Sequence, residues 1–402
     1  MAPKKILLLG GSKSQVVGID RARQLGYETI VCDYLPDNPG RNIADRFYLV
    51  STTDKEAVLD VAISEDIDGV VAYGSDPAAP TAAYVAEKLG LPGIPYKTAQ
   101  SFCEKHLFRE FLVSNGFNVP RSIQVDSETK VSEVADWISF PAIVKPTDSS
   151  GSKGVSVVRN IAEVHEAIHL AWELARNGVA IVEEFIERDH PFVIEAEIFV
   201  VDGKIRSWGL INSIRDQDTN PLLPAAYSYP LQQPEARALL VRQELTRLIE
   251  VSEIRYGALN LEMVIDKNDR LFFLDAGPRN GGNMLPEFIG MISGKDIVAA
   301  TLHAAMGEYS RIDVDFDEGN EYWGLAVLHA GRNGKFAGVS YSDEALAHLE
   351  IEVLDKTRGD TVKRFDTCRD LIGLSFFRFE DIDSMRRVME HPSQSMQVKV
   401  FE

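Results

Sequence analysis

Cysteine is scarce in this chain, and what there is cannot pair locally: Cys32, Cys103 and Cys368 are an odd three, far apart, with no Cys-x-x-Cys spacing. That excludes a disulfide framework and a zinc ribbon, and leaves them as small, mostly buried side chains. Long apolar runs are missing too. No stretch approaches the ~18 consecutive apolar residues of a membrane span, and the opening MAPKKILLLGGS has only a short apolar segment after its basic pair, unlike a signal peptide. A cytoplasmic location is the expectation. Positive charge is in deficit, with 42 Lys and Arg against 61 Asp and Glu for a formal net charge of −19, and no local basic patch offsets it. Nucleic acid and anionic membranes are therefore not expected as partners. The first turn reads Gly10-Gly11-Ser12-Lys13-Ser14-Gln15, so Gly-x-Gly-x-x-Gly is absent, and no Gly-x-x-x-x-Gly-Lys-Ser/Thr occurs anywhere. A dinucleotide fingerprint and a P-loop are both excluded.

What is present is an ordinary globular composition, 45% hydrophobic and 26% charged over 402 residues, enough for roughly two to four domains. Strand and helix alternate at first: a strand at Lys5–Leu9, a helix over Gln15–Leu25 stopped by Gly26, a strand at Thr29–Cys32, a helix over Asp54–Ser64, and a strand at Gly69–Tyr73 that ends in Gly74-Ser75-Asp76. This is the pattern of a βαβ parallel sheet with ligand-competent loops at its strand ends. One helix is expected over Thr98–Asn115, a strand at Val119, a helix over Lys130–Ile138 and another over Ile161–Arg176. After an acidic stretch at Asp313–Asn320, short strands (Trp323–His329, Ile351–Leu354, Leu371–Phe377, Gln397–Phe401) and helices (Ser342–Leu349, Asp381–His391) suggest a small α+β unit.

The chemistry concentrates between these ends. In FPAIVKPTDSSGSKGVSVV, Phe140–Val158, a lysine closes an apolar strand and is followed by a glycine and serine loop. A charge that ends so apolar a run requires an anionic partner. The glycines free backbone N–H groups to turn toward an anion, and Ser149, Ser150 and Ser152 add hydroxyl donors, the inventory expected around polyphosphate. Further on, Gly257–Val264 carries Glu262 inside an apolar strand, and Arg270–Arg279 carries Asp275 at the end of the next. Asp266-Lys-Asn-Asp269 between them is a hairpin turn. Two adjacent antiparallel strands bring both carboxylates to one face, and paired carboxylates beside phosphate-binding lysines are what Mg²⁺ requires.

Taken in order, Glu104-Lys105-x-x-x-Arg109 with Gly116 and Pro120, FPAIVKP with SSGSKGV, VEEFI, NLEMV, and LDAGPR followed by NGGN resemble the ATP-grasp superfamily of carboxylate-amine ligases over nearly the whole chain. The segments Gly74–Gly93 and Asp33–Asp45 resemble most the relatives of the carbamoyl-phosphate synthase large chain, phosphoribosylglycinamide synthetase and bacterial amino-acid ligases. The resemblance implies an α/β (α+β) protein with an ATP-grasp fold. Its parts would be a Rossmann-like pre-ATP-grasp domain over 1–97, an ATP-grasp domain over 98–312 with a lid subdomain at about 120–188, and a C-terminal α+β subdomain over 313–402. It implies ATP and Mg²⁺ (or Mn²⁺) as cofactors, small carboxylate and amine substrates, and a homodimer.

Carried over by position, Lys105 and Lys145 hold ATP phosphates, and the loop through Ser150, Gly151 and Ser152 closes over them as a lid. Glu184, Phe185 and Ile186 meet the adenine edge through backbone groups, with Glu183 nearby, and Glu195 or Glu197 binds ribose. Glu262 and Asp275 bind the metal, while Arg279 neutralises the transferred phosphoryl group. Substrate recognition falls to Asn280, Gly281, Gly282 and Asn283, and across the cleft to Ser75 and Asp76. One departure stands out: the superfamily's last motif commonly reads acid-x-Asn-x-Arg, and here Gly277 replaces the Asn. Asn260, Asn280, Asn283 or a water would then supply the missing oxygen, or the site is weaker.

The expected activity is ATP-dependent amide formation through an acyl phosphate, with no Ser-His or Cys-His nucleophile pair in view. Three rivals are a biotin-type carboxylase, for which the chain lacks the extended length and a lipoyl-like lysine segment, a phosphoribosylglycinamide synthetase-type enzyme, for which no basic phosphate cluster is evident, and an ATP-binding protein without turnover. His165-Glu-Ala-Ile-His169 also fits His-Glu-x-x-His, but Val164, Ile168 and Ala171 form the apolar stripe of that helix. Two solvent-facing histidines are the expectation there.

Overall fold

In the computed structural model, which describes residues 2–126, 134, 137–149 and 151–402, the apolar runs at the N-terminus form a parallel sheet. Its strands are β1 (Lys5–Leu9), β2 (Glu28–Asp33), β3 (Arg46–Leu49) and β4 (Gly69–Val71), in the order β3-β2-β1-β4. Ile6, Leu7, Leu8 and Leu9 are all buried, as a strand covered by helices on both faces demands. The short, half-exposed strand β3 was not anticipated. The helix Lys55–Glu65 is capped by the Asp54 side chain, and the chain leaves β4 through Gly74-Ser75-Asp76 at its C-terminal end.

The single helix expected over Thr98–Asn115 is two, Tyr96–Cys103 and Lys105–Ser114. Glu104 is extended, with φ −103° and ψ 110°. The cause is tertiary, because the Lys105 N–H donates 2.8 Å to the Thr147 carbonyl, which starts the second helix at Lys105 itself. The break sets that lysine at the mouth of the site.

A four-stranded antiparallel sheet follows, of β5 (Ser122–Val125), β6 (Ala142–Pro146), β7 (Ser156–Val158) and β8 (Ala180–Glu184), ordered β5-β8-β6-β7. The strand expected at Val119 therefore begins three residues later. The flap is the β6–β7 connection, as read from its glycines, and the helix Ile161–Leu174 backs the sheet with Val164, Ala167, Ile168 and Ala171. His165 and His169 sit side by side on its exposed face, and no group of three or more His, Cys, Asp or Glu placed to hold a metal occurs among the described residues. Ser150 and most of the expected helix Lys130–Ile138 lie outside the described residues.

The largest sheet has eight strands: β9 (Val193–Val201), β10 (Lys204–Arg215), β11 (Pro224–Tyr229), β12 (Tyr256–Ile265), β13 (Leu271–Gly277), β14 (Tyr322–His329), β16 (Leu349–Leu354) and β18 (Leu371–Phe379). Their order is β13-β12-β9-β10-β11-β14-β18-β16. Strands β14, β18 and β16, read from sequence as part of a separate unit, thus extend this sheet across the β11 edge. A three-stranded sheet of β15 (Gly334–Tyr341), β17 (Thr361–Val362) and β19 (Met396–Phe401) lies beyond it.

Alternation along β9 and β12 separates the two faces of the large sheet. Ile194, Ala196, Ile198, Leu259, Leu261 and Met263 join the core under the helix Glu235–Ser252. Glu195, Glu197, Asn260 and Glu262 point the other way, into the site. Among the described residues no helix is long and apolar enough to cross a membrane.

Candidate active site

Lys145 finds its anionic partner in the next strand. Its ammonium lies 2.5 Å from Glu183 Oε2, and Glu183 Oε1 also accepts from Arg109 Nε at 2.7 Å. Arg109 donates further to the Leu274 carbonyl at 2.8 Å, and all three side chains are buried. Burial alone would raise the Glu183 carboxyl, but the two cations override it and hold it at about 2. The Lys145 ammonium is pushed below its ordinary value, chiefly by burial. Lys105, at the head of its helix, donates to Asp275 Oδ2 at 3.1 Å and to the Ser149 carbonyl at 3.1 Å. Burial works against its charge, but the Asp275 carboxylate outweighs burial and raises the lysine. Lys105 in turn keeps Asp275 low.

Asp275 belongs to a row. Residues directly opposed in an antiparallel pair share a face, and the register pairs Asp275 with Glu262 and Glu262 with Glu195. The hairpin thus brings the two expected metal carboxylates together. Two residues along, about 7 Å, a second row consists of Gly277, Asn260 and Glu197. In the opposite direction the same face becomes apolar, with Val193, Val264 and Phe272 packed by Ile186 and Leu274. The face therefore runs from an apolar patch beside the 184–186 segment, through the acid row, to Glu197 and Asn260. Glu195 lies in the acid row, two residues along β9 from Val193 of the apolar patch, and Glu197 lies one row farther from it. The Ile186 amide and carbonyl have no hydrogen-bond partner among the described residues.

Each acid of the first row has its own counterweight. Arg215 Nη2 donates 2.8 Å to Glu262 Oε2, and Glu262 raises the buried guanidinium against the opposing effect of burial. Glu195 is pushed up to about 7, mainly by burial and then by Glu262, while Asn260 Nδ2 donates to it at 3.0 Å. Glu197 is pushed up to about 8 by burial, against the pull of Arg279 and of the Gly281 N–H at 2.8 Å. The unfolded chain ionises this group near 4.5. Between those values the folded state holds the extra proton, and stability falls as pH rises. Glu197→Gln is accordingly expected to gain in melting temperature relative to the parent between pH 5 and pH 9, which a thermal-melt series checks.

Gly277 stands where an asparagine was expected, and the space above it is taken. A Cβ there would come 2.5 Å from Asp76 Oδ1 and 2.7 Å from Arg279 Cζ. Arg279 bridges to Asp76 of the N-terminal sheet at 2.6 Å and donates to Asn260 Oδ1 at 3.2 Å and to the Asn280 carbonyl at 3.0 Å. The Asn260 oxygen, one candidate to replace the missing amide, is thereby committed to Arg279. Asn283 instead reaches the Tyr227 hydroxyl at 3.0 Å, and Asn280 is fully buried. Gly277→Asn is expected to displace the Asp76–Arg279 pair and lower turnover about 10–100-fold, since ångström-scale misplacement costs that much. A Mg²⁺ titration of the variant's rate would show no compensating gain in metal affinity.

The flap loop folds over Lys105. Ser152 Oγ donates 3.1 Å to the Leu222 carbonyl between β10 and β11, and Cys368 Sγ packs against Gly151. A cleft of about 340 Å³ opens beside Lys105 and Asp275, walled by Asp76, Asp148, Ser149 and Arg176. Ser75 caps the turn into the following helix through its backbone carbonyl, and Gly282 is exposed.

Residues 110–283 match the ATP-grasp domain model. That segment of the chain is an ATP-grasp domain. A formate-dependent phosphoribosylglycinamide formyltransferase of Nitratiruptor sp. is 27% identical over 297 residues, 72% of this chain and 71% of that protein. In fold the chain is similar to the L-amino acid ligase from Bacillus licheniformis, with a TM-score of 0.80 and 20% identity over the whole of both chains. It is also similar to the phosphoribosylglycinamide synthetase from Anaerococcus prevotii, with a TM-score of 0.74 and 19% identity over 99% of this chain and all of that one.

Within this ATP-grasp site, two residues had no role in the sequence reading: Arg109, which buttresses Glu183, and Arg215, which meets Glu262. Arg215 lacked the signal that Lys145 had, because the run before it, Gly209–Ile214, is interrupted by Asn212 and Ser213. The Asp76–Arg279 bridge had none, since its partners are 203 positions apart in the chain.

Proposed function

We propose that this chain joins a small carboxylate to an amine through an acyl phosphate, converting ATP to ADP and phosphate. The observation that carries the reading is the single row of Asp275 and Glu262 flanked by Lys105, Lys145 and Arg279 on one sheet face. In this reading the adenine lies on Val193, Val264 and Phe272 against the backbone of Glu184 to Ile186, where an unpartnered amide waits. Its phosphates meet Lys145, Lys105 and the flap residues Gly151 and Ser152. Asp275 and Glu262, hard oxygen donors side by side, suit Mg²⁺, which when bound would neutralise phosphate charge. Lys105 and Arg215 hold those carboxylates until then.

A carboxylate oxygen attacks the γ-phosphorus and ADP leaves. The amine, having shed one proton, attacks the acyl carbon, and the carbon–oxygen bond to phosphate breaks. The amine's second proton leaves with the phosphate. Arg279, fixed by Asp76 and Asn260, faces the developing charge with a planar donor fork. The flap excludes water from the acyl phosphate. Arg279 and both lysines in place argue against a protein that only binds ATP. Likeness to the phosphoribosylglycinamide synthetase is one of fold, so that narrower activity is not favoured.

The test is hydroxamate formation from ATP, Mg²⁺, hydroxylamine and pools of amino acids and small carboxylates. Hydroxamate with stoichiometric ADP from one pool supports the reading. ATP binding without product from any pool would favour the non-catalytic alternative.

A further inference from the structure

The His-Glu-x-x-His motif takes no part in the reaction above, and its two imidazoles have no polar partner. His165 and His169 are exposed on the helix Ile161–Leu174, and among the described residues neither enters a hydrogen bond or an ion pair. Residues four apart on a helix are neighbours on one face, so proximity alone is ordinary. These two are also held in place. The Trp172 indole stands edge-on to His169, with ring centroids 5.3 Å apart and planes at 83°, and is itself anchored by its Nε1–H, which donates 2.9 Å to the Val125 carbonyl. On the opposite face Val164, Ala167, Ile168 and Ala171 are sunk in the core under the β5-β8-β6-β7 sheet, so the helix cannot turn the pair away. Asn160 caps its N-terminus, accepting from the N–H groups of Ala162 and Glu163, which keeps the turn below His165 from fraying.

The spacing of the rings decides what they suit. Their centroids lie 4.6 Å apart with planes tilted by 52°. An ion bound to imidazole nitrogens at about 2.0–2.1 Å sits about 3.2 Å from each centroid, so a separation of 4.6 Å corresponds to an angle of about 90° at the ion. A right angle is the arrangement of tetragonal copper(II) and nickel(II), whereas tetrahedral zinc(II) asks for a wider one. Charge favours a cation here. The helix Ile161–Leu174 carries Glu163, Glu166 and Glu173, all exposed, and no lysine or arginine, in a chain of formal net charge −19. No third His, Cys, Asp or Glu converges on the pair among the described residues, so water would fill the remaining positions. A catalytic zinc centre, which takes three protein ligands, is not what this geometry builds.

We infer that His165 and His169 form a two-imidazole site for a borderline divalent transition-metal ion, copper(II) ahead of nickel(II) and both ahead of zinc(II). The ion ties together successive turns of the helix that backs the flap sheet. Because the chelate exists in the folded helix and not in the unfolded chain, binding stabilises that part of the protein. The site differs in chemistry from Glu262 and Asp275, whose hard oxygens suit Mg²⁺, so the two kinds of ion do not compete.

The test uses the full chain without a histidine tag, with millimolar Mg²⁺ present to occupy the hard-oxygen site. Calorimetric titration with Ni²⁺ is expected to give one site per chain, weakened at least 10-fold in His165→Gln and in His169→Gln, exchanges that put a good helix former at an exposed position and leave the fold intact. Copper(II) at one equivalent should show the electron paramagnetic resonance signature of two equatorial imidazole nitrogens in the parent and of fewer in either variant. Ni²⁺ should also raise the melting temperature of the parent and leave that of the double variant unchanged. Nickel binding of the parent's strength in both single variants would put the ion elsewhere and overturn the inference, as would a parent that binds neither metal. Zinc(II) bound more tightly than nickel(II) would overturn the right-angle geometry and with it the choice of ion.

Discussion

Lys145→Met is expected to lower the rate of ADP formation by about 10²–10³-fold, the usual cost of removing one preorganised electrostatic contact to a reacting group. The ammonium cannot be replaced by water, because its site is buried and its place is set by β6 on one side and Glu183 on the other. The lysine is held below its ordinary pKa by burial and by the neighbouring Arg109 and Lys105, with Glu183 pulling the other way. An incoming polyphosphate would supply the negative charge that this crowded set of cations lacks. The effect should fall on turnover and nucleotide affinity together, read by initial rates over an ATP series. A change of less than about threefold in both would remove Lys145 from the phosphate site.

Arg109→Met should instead unfold the ATP-binding region, at a cost of about 3–5 kcal/mol, the range for breaking a buried ion pair from one side. The substitution leaves Glu183, 2% exposed, with Lys145 alone, and strands the Leu274 carbonyl that Arg109 now satisfies. The same network sets an acid limit. Glu183 is depressed from 4.5 to about 2, so its contribution is complete above about pH 4.5 and is lost as pH falls toward 2. Chemical denaturation at pH 7 and pH 3 checks both parts: the parent should lose stability on acidification, and Arg109→Met should be destabilised at pH 7 with a smaller further loss at pH 3. Equal stability of the two proteins at pH 7 would contradict the account of the network.

How much of this was visible in the sequence depended on sequence distance. The Glu262–Asp275 pair was legible because a tight hairpin fixes its register locally, and Asp266–Asp269 announces the turn. Lys145 was legible because a charge at the end of an apolar strand is chemically conspicuous. Arg215 carried no such mark, because Asn212 and Ser213 interrupt the run before it and its partner Glu262 lies two strands away in the sheet. The helix break at Glu104 could not be read, as neither proline nor glycine causes it: a carbonyl at Thr147 takes the N–H of Lys105. Glu195 and Glu197 were correctly placed on one strand face, but which part of the ligand that face meets depends on the order of β13, β12 and β9, which no local signal specifies. Likewise β14, β16 and β18 read as strands, yet their joining to β11 is a long-range pairing. Gly277 looked like a loss when it was read against the superfamily motif, whereas in the fold it is the space that Asp76 and Arg279 occupy.

The most direct test of the central claim follows oxygen. The carboxylate that yields hydroxamate would be labelled with ¹⁸O in both oxygens and turned over with ATP, Mg²⁺ and amine, and the phosphate released would be weighed by mass spectrometry. Acyl phosphate chemistry predicts one ¹⁸O atom in each phosphate formed, because the carboxylate oxygen that attacked the γ-phosphorus departs with it. Unlabelled phosphate accompanying amide product would contradict that mechanism.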